Sequence, residues 1–409
     1  MKQLIAITGL SAISAMGESA YEPQPKSSLI NSAYTSENHH LTFDQKLNAW
    51  VGKLPENIQK SIINLQKSER NYNALDPSVL YAIYTSREAV KQAGWREGSD
   101  FGINIGSSRG ATQLFEKYYS AFAKENKSTT LASPTTTLGN ISSWVAQDLQ
   151  NNGPEISHSI TCSTALHALL NGVAWLQSGM CDKFLVGGSE AALTPFTIAQ
   201  MQAMKTYSRA GAESDYPCLA FDLKKTENTM VLGEGSASVC LELGENDNAL
   251  AYVAGVGYAT EKLKHAVSIS AEAECFQKSM KMAIADAFGE NNKTKQDKIS
   301  AFAEMTENID AIVMHAPGTM LGDESEFKAI KRVFGDKMPL LTTNKWKIGH
   351  TFGASGLLSL DLAVHMLETQ QFIDVPFISP QGKPKKMDNI LVNAVGFGGN
   401  AVSILLRKP

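Results

Sequence analysis

Cys162 combines a reactive side chain with a position where such side chains are usually presented to a ligand. It lies at the beginning of the helix pattern TCSTALHALLNGVAWL, directly after the strand pattern EISHSI. The positive end of a helix macrodipole and its unpaired N–H groups favour a thiolate and lower the thiol pKa. A turn from strand to helix can present a nucleophile in this way. From these residues alone, Cys162 is either a nucleophile or a buried thiol, the usual state of a free cysteine.

Two of the eight histidines lie at comparable junctions. His315 ends the apolar strand pattern IDAIVMH and opens the turn-rich loop APGTMLGD. In parallel α/β proteins, ligands bind beyond the carboxyl ends of strands. His350 follows NKWKIG and begins a second helix pattern, HTFGASGLLSLDLAVHML. The remaining candidates His158, His167 and His365 fall inside strand or helix patterns, so we interpret them as core histidines.

Composition excludes several classes of protein. The net charge is −4, and no Lys/Arg run is interleaved with aromatic residues, which argues against a nucleic-acid partner. No apolar run approaches the ~20 residues that a membrane span requires. The odd number of cysteines and their spacing favour neither a metal site nor a disulfide framework, so we expect a reducing, cytoplasmic location. The cysteines are Cys162, Cys181, Cys218, Cys240 and Cys275.

Alternating strand and helix patterns must position these residues. FGINIG, EISHSI and KFLVGGSEA are buried-strand patterns separated by helix patterns, one of them over 141–149, so we predict a parallel sheet with crossover helices. Another helix is predicted to begin at Pro77 with Asp76 as its N-cap. The opening segment LIAITGL is either a signal-peptide core or a first buried strand. Thr8 and Gly9 favour the strand.

The second half of the chain repeats the rhythm of the first. TCSTALHALLNGVAWL and HTFGASGLLSLDLAVHML both begin with a potentially reactive residue and carry small residues where a neighbouring helix could come close. We therefore predict a duplication, with halves 1–245 and 246–409 joined at the polar segment 242–249 and the two helices packed at the centre. Residues 23–70 are predicted to form loops with short helices, and 290–298 an exposed loop.

Six segments together resemble the β-ketoacyl-acyl carrier protein synthases, the condensing enzymes of fatty acid and polyketide synthesis. In the family's order they are ITGLSAISAMG, TCSTALHALLNG, VLGEGSASVCLE, HAPGTMLGDESE, NKWKIGHTFGASG and GFGGNA. The resemblance covers nearly the whole chain. It implies an α/β, thiolase-like fold of duplicated halves in a five-layer αβαβα arrangement.

The resemblance also implies roles for four residues. Cys162 would take an acyl chain from a carrier-protein thioester. His315 and His350 would support decarboxylation of a malonyl extender and stabilise the enolate that results. The backbone N–H groups of Cys162 and Phe397 would form an oxyanion hole, and the Phe397 ring would act as a gate to the acyl pocket.

Supporting roles follow for further residues. Lys345 would act electrostatically near the histidines, unless it is a surface lysine as Lys347 is expected to be. Glu326 would either link to Lys345 or belong to a capping box with Asp323 as N-cap. Thr319 matches a threonine that binds the phosphopantetheine arm. Met201 would line the acyl pocket or be an ordinary core methionine.

The implied partners are an acyl carrier protein and a second subunit, either a copy of the chain or a paralogue. The substrates would be carried on phosphopantetheine, and no other cofactor is expected. Four departures favour a specialised synthase, for a polyene pigment or another secondary product. Thr161 replaces an alanine, Ala316-Pro317 removes a threonine, GFGGNA is one residue short, and the Arg-Asp-Gly before the glycine-rich hairpin is missing.

Three other functions fit parts of this pattern less well. A non-catalytic partner subunit, like the chain-length factors, usually lacks the cysteine that this chain keeps. A Cys-His hydrolase would give no reason for the second histidine, the lysine or the duplicated helices. A thiolase would be expected to carry a second reactive cysteine near GFGG, where none occurs.

Overall fold

The structure, a computed structural model, describes residues 4–20, 33–96, 99–138, 140–262, 270–289, 302–382, 384 and 386–409. The predicted loop 290–298 lies outside the described residues. The strands are β1 Ile5–Ser14, β2 Gly17–Ala20, β3 Thr42–Asp44, β4 Ala49–Gly52, β5 Gly102–Gly106, β6 Glu155–Ile156, β7 Lys183–Glu190, β8 Leu232–Gly233, β9 Gly235–Leu243, β10 Ala251–Thr260, β11 Ala311–Val313, β12 Leu340–Thr342, β13 Asn389–Gly396 and β14 Asn400–Arg407. The α-helices that concern us are α1 Glu56–Ser68, α2 Pro77–Gln92, α3 Thr112–Glu125, α4 Ala132–Thr136, α5 Asn140–Asp148, α6 Thr164–Gln177, α7 Pro195–Ala203, α8 Glu274–Phe288, α9 Met320–Phe334, α10 Lys345–Ile348 and α11 Ser355–Thr369.

Two sets of five strands repeat one topology within a single large sheet. The strand order is β6-β5-β7-β9-β1 followed by β10-β14-β13-β11-β12, and β2 pairs with β1 beside this path. From β1 outward the pairings are antiparallel, antiparallel, parallel and parallel. From β10 outward they follow the same sequence. The two sets join between β1 and β10, at the pairs Ala6–Tyr252 and Ile7–Ala251. The repeat confirms the predicted duplication.

Three apolar clusters arrange the helices in layers. One packs α1, α2 and α5 against β5 and the neighbouring strands of the first set. Another packs α8 and α9 against β11 and its neighbours in the second set. Between them, α6 and α11 share a cluster with strands of both sets, β7 and β9 from one and β13 and β14 from the other. Helices, first strand set, central helices, second strand set and helices form the predicted five-layer thiolase-like arrangement, in which one continuous sheet supplies both strand layers.

Small residues allow close approach at the centre. A Cβ added to Gly356 of α11 would lie 2.6 Å from Cγ of Leu166 in α6. A Cβ added to Gly188 at the end of β7 would lie 2.7 Å from Cβ of Ala165. Contacts this short leave no room for larger side chains. The small residues that suggested packed central helices are therefore required by that packing.

Local sequence signals explain most helix and strand positions. Asp76 caps α2 as predicted, its carboxylate accepting a hydrogen bond from Ser78 N at 3.0 Å, with Pro77 at the first helical position. The expectation of loops with short helices over 23–70 is wrong for much of 42–68. There β3 and β4 pair, and α1 runs for 13 residues, burying Ile58, Ile62 and Leu65 on one face. That spacing is a helical signal, but the many polar residues around it conceal it.

The predicted boundary between residues 245 and 246 falls in the connection between β9 and β10 and remains a prediction. Within the described parts of the chain, no helix is long and apolar enough to cross a membrane.

Candidate active site

Cys162 lies in a tight turn between β6 and α6. The turn is held by Thr164, whose hydroxyl donates to Thr161 O at 2.6 Å and accepts from Ile160 N at 2.9 Å. Thr161 adopts the left-handed backbone region, with φ of 47°. The Cys162 side chain is buried, with 7% of the residue exposed, and it faces a cavity. The strand-to-helix turn expected from the sequence is thus present.

His350, which belongs to the second half of the chain, contacts the Cys162 sulfur. Its Nε2 atom lies 3.1 Å from Cys162 Sγ, and its Nδ1 atom lies 3.1 Å from the Ser355 hydroxyl. Its backbone N–H donates to Val231 O at 2.7 Å, which ties the residue to the segment before β8. Burial, with a contribution from the charge of Lys345, lowers the pKa of His350 to about 3. The imidazole is therefore neutral at physiological pH.

His315 stands beside His350 at the end of β11. The two ring centroids are 5.3 Å apart and the rings are nearly perpendicular. Burial lowers the pKa of His315 well below its ordinary value, and the charges of His350 and Lys345 act in the same direction. Its Nδ1 atom is buried and has no hydrogen-bond partner among the described residues. A polar atom left without a partner in a buried site is suited to bind a substrate atom.

Glu326 supports the His315 loop from the helix that follows it. Its carboxylate accepts from His315 N at 3.0 Å, Ala316 N at 2.9 Å and Asn393 Nδ2 at 3.2 Å. The capping box with Asp323 as N-cap is wrong. The helix α9 begins at Met320, and Thr319 caps it by accepting from Gly322 N at 3.3 Å. Glu326 therefore lies in the second turn of the helix.

Lys345 is buried, with 1% of the residue exposed. Its ammonium donates to Asn344 Oδ1 at 3.1 Å and Ser359 Oγ at 3.0 Å, and the described residues give it no ion pair with Glu326. Burial lowers its pKa to about 8, against the opposing influence of the Glu326 and Cys162 charges. Lys347 is not the surface lysine we expected. It is buried and donates to three backbone carbonyls of residues 33–36.

A cavity of about 280 Å³ connects these groups with the remaining candidates. Met201 lies in its wall, in an apolar cluster that also contains Cys162 and Phe352. Thr319 lines the cavity with its hydroxyl engaged in the helix cap. Phe397 lies in the turn between β13 and β14 and is 42% exposed at the cavity's edge. Six of the eight candidate residues thus line one cavity, and Glu326 binds the backbone of His315. Lys345 does not line the cavity and acts on the histidines through its charge.

Glu190 is a charged group near the site that the sequence reasoning missed. It ends β7 and is fully buried. Burial, and next the charge of Glu190, raise the pKa of the Cys162 thiol to about 12. The expected lowering by the helix terminus is therefore wrong. Cys162 precedes the first helical residue by two positions, and loss of water outweighs the helix. The signal was the single acid of the apolar strand KFLVGGSE.

Thr161 packs against Gly396, a residue of the hairpin that lines the cavity. Its hydroxyl oxygen would lie 2.0 Å from a Cβ on Gly396, so it sits directly against the glycine backbone. That oxygen is buried and has no hydrogen-bond partner among the described residues. Thr161 is also absent from the cavity wall. Its replacement of the expected alanine therefore bears on the contact with Gly396 rather than on the acyl chain directly.

Comparison with known proteins covers most of the chain. Residues 2–246 match the family described as "Beta-ketoacyl synthase, N-terminal domain", and residues 250–376 match "Beta-ketoacyl synthase, C-terminal domain". The 3-oxoacyl-[acyl-carrier-protein] synthase 2 of Coxiella burnetii (strain RSA 493 / Nine Mile phase I) is 26% identical over 357 residues, covering 81% of this chain and 82% of that protein.

Two solved structures share the fold over their whole length. A beta-ketoacyl synthase from Burkholderia phymatum STM815 superposes with a TM-score of 0.84 at 20% identity, with 100% of both chains covered. The ishigamide ketosynthase/chain length factor superposes with a TM-score of 0.81 at 17% identity, again with 100% of both chains covered. At these identities the likeness concerns the fold alone.

Proposed function

Because this chain belongs to the β-ketoacyl synthase family, whose members are acyltransferases, we propose that it condenses an acyl chain held on Cys162 with malonyl-acyl carrier protein. The reaction is a decarboxylative Claisen condensation that yields a 3-oxoacyl-acyl carrier protein. The observation that carries the proposal is the meeting of Cys162, His350 and His315 at one cavity, with the sulfur 3.1 Å from His350 Nε2.

In the first step, the Cys162 sulfur attacks the thioester carbonyl carbon of an acyl carrier protein. The new C–S bond forms to Cys162, the bond to the phosphopantetheine sulfur breaks, and the thiol proton passes to the leaving thiolate. His350 can relay this proton because its neutral imidazole lies 3.1 Å from the sulfur. The backbone N–H groups of Cys162 and Phe397 would stabilise the oxyanion, a type of contact worth about 10²–10³-fold in rate.

In the second step, malonyl-acyl carrier protein loses CO₂ and its electron pair becomes an enolate. The neutral rings of His315 and His350 can donate hydrogen bonds to the enolate oxygen. The nearby ammonium of Lys345 favours the same negative charge. The carbanion then attacks the carbonyl carbon of the Cys162 thioester. A C–C bond forms, the C–S bond breaks, and the sulfur regains a proton from the solvent.

The cavity wall supports an apolar acyl chain as substrate. Met201, Met204 and Met230 contribute flexible thioether side chains that adapt to an apolar ligand. We propose Thr319, which lines the cavity, as a contact of the pantetheine arm. The four sequence departures favour a specialised pathway, polyketide or polyene, over general fatty acid synthesis. The substrates arrive on carrier-protein phosphopantetheine, and the proposed steps require no other cofactor.

We further propose that the working unit is a dimer, either of two copies or with a paralogue. The helix α3 buries none of its residues against the described chain. Phe115 and Tyr119, one turn apart on this helix, are 62% and 63% exposed. Exposed aromatic residues on one helical face are typical of a surface that a partner covers.

The test is to incubate the protein with acyl- and malonyl-acyl carrier proteins and to follow CO₂ release and product mass. We expect CO₂ release and a product lengthened by two carbons and bearing a 3-oxo group. The variant Cys162→Ala should form no acyl-enzyme and no condensation product.

A second candidate function is a non-catalytic partner subunit of a ketosynthase. The likeness to the ishigamide ketosynthase/chain length factor favours it, at the level of fold. Absence of condensation with every acyl donor, while Cys162→Ala still binds its partner normally, would support this second function instead.

A further inference from the structure

Phe352 holds an unfavourable backbone conformation next to the proposed catalytic histidine. Its φ is 41°, in the left-handed region that bulky residues rarely adopt. The side chain is buried and lines the cavity. Its ring centroid lies 5.5 Å from that of His350 and 5.6 Å from the Arg109 guanidinium carbon. Strain at such a position persists only when the surroundings hold it in place.

Glu190 accepts the hydrogen bonds that keep this turn in place. Its Oε1 atom accepts hydrogen bonds from the Ser107 hydroxyl and from Arg109 N, the latter at 3.1 Å. Its Oε2 atom accepts from Gly353 N at 3.2 Å. One carboxylate therefore joins two turns. The turn after β5 belongs to the first half of the chain, and the turn that contains Phe352 belongs to the second half.

Close packing around the turn that contains Phe352 leaves no room for the turn to move. A Cβ added to Gly353 would lie 2.6 Å from Ser108 N, so the two turns are in direct contact. A Cβ added to Gly188 would lie 2.8 Å from Gly353 O, so the end of β7 closes the third side. Gly353 is buried, so its N–H group needs an acceptor within the protein for the turn to keep this position.

The same carboxylate acts on the sulfur through its charge. Glu190 raises the pKa of Cys162, second only to burial, whereas Lys345 and Arg109 lower it. His350 and His315 face the sulfur as neutral rings. Burial raises the pKa of Glu190 itself to about 7, so above that pH Glu190 is the negative charge whose removal would favour the thiolate.

We propose that Glu190 is a positioning residue, whose carboxylate clamps the turn of Phe352 and thereby keeps the His350 ring against the Cys162 sulfur. This inference rests on the proposed function for the meaning of the Cys162–His350 contact. The reactivity of the thiol, however, can be measured without condensation.

Two substitutions separate the reach of the side chain from its charge. Glu190→Asp keeps the charge but withdraws it by one methylene from Gly353 N. We expect the turnover of condensation to fall about 10²-fold, since small misplacements in a site have such effects. The pH midpoint of Cys162 alkylation by iodoacetamide, read by mass spectrometry of the Cys162 peptide, should stay near that of the unaltered protein.

Glu190→Gln removes the charge, and one carboxamide oxygen cannot replace both carboxylate oxygens as acceptors. We expect the same loss of turnover and, in addition, an alkylation midpoint shifted to lower pH. The matched control is Asp76→Asn, which changes another fully buried carboxylate that accepts backbone hydrogen bonds, from Ser78 N and Leu114 N. It should change thermal stability but neither the alkylation midpoint nor the turnover.

A double-mutant cycle tests the link to Phe352. Glycine adopts a positive φ without strain, so Glu190→Asp should cost less turnover in a Phe352→Gly background. Unaltered turnover in Glu190→Asp, or an unaltered alkylation midpoint in Glu190→Gln, would overturn the proposal. If the parent protein catalyses no condensation, the proposed function fails first. The alkylation rates of the variants and a crystal structure of Glu190→Asp would still test the positioning role. A displaced Phe352 in that structure would support it, and an unmoved Phe352 would contradict it.

Discussion

Burial sets the protonation of the groups around Cys162. Both imidazoles are neutral because loss of water lowers their pKa values. The same effect brings the pKa of Lys345 down to about 8 and raises that of the thiol to about 12. A protonated thiol facing a neutral imidazole is a resting state, and the reaction must move the proton as the substrate binds.

His315 should matter for one half of the reaction only. Replacing it by alanine removes a proposed donor to the enolate, so we expect His315→Ala to lower condensation by about 10²–10³-fold. Acylation of Cys162 should proceed nearly as before, because His350 contacts the sulfur and His315 does not. Mass spectrometry of the acyl-enzyme and CO₂ release report the two halves separately. Equal losses in both would contradict the assignment.

Lys345 should leave a signature in the pH dependence of stability. Its pKa in the folded protein, about 8, lies below the ordinary 10.5, so between these values the unfolded state binds more protons. Folding stability therefore rises with pH across this window. In Lys345→Met that rise should be smaller. Urea denaturation at several pH values measures it, and identical slopes in the two proteins would refute the buried, perturbed ammonium. Lys347, with a pKa of about 8, keeps part of the slope in both.

The helix α9 organises the His315 loop through two buried acids. Glu326 binds the backbone of His315 and Ala316, while Asp323 accepts from Gly318 N at 3.0 Å. Asp323 in turn forms an ion pair with Lys225 at 2.7 Å, with both side chains almost fully buried. The helix thus fixes the loop to the segment that precedes the glycine-rich hairpin.

Removing only the lysine of that ion pair should lower the stability of the folded protein. Lys225→Met leaves the Asp323 carboxylate buried without its cation, and we expect a loss of about 3–5 kcal/mol in the free energy of unfolding. The control is Lys328→Met, which breaks an exposed pair with Glu324 on the same helix. It should change stability by less than about 1 kcal/mol. Equal effects in urea denaturation would mean that burial of the pair contributes nothing.

Local sequence patterns predicted where helices and strands lie better than they predicted which side chains are buried. The cap and first proline of α2 and the small residues of the central helices could be read from neighbouring positions. The cap of α9 was misplaced because Asp323 and Glu326 have the capping-box spacing, whereas Thr319 satisfies the helix four residues earlier. That Lys347 and Glu190 are buried could not be predicted, since burial depends on segments distant in sequence.

Both halves of the chain contribute to the candidate site. The first supplies Cys162 and Glu190, and the second supplies His315, His350 and Phe397. The junction motifs and their order in the sequence were enough to select these residues, except Glu190. The distances between them were not predictable, because they depend on how α6 and α11 pack between the two sets of strands.

The two halves should unfold together. They share the central cluster around α6 and α11, and their strands form one sheet through β1 and β10. We therefore expect one cooperative transition in urea. Far-UV circular dichroism reports the whole chain, and tryptophan fluorescence reports four tryptophans in the first half and Trp346 in the second. Transitions that do not coincide would show that a half is stable alone.

The contact of Thr161 with Gly396 sets a condition on recombination between relatives. The nucleophile turn comes from the first half and the glycine from a hairpin of the second, and an alanine at 396 would also lie 2.6 Å from Ile160 O. A chimera that takes its second half from another family member can keep the cysteine beside the histidine only if that half also brings a glycine to this point. At this contact the two halves of the chain therefore have to match each other whenever one of them is exchanged.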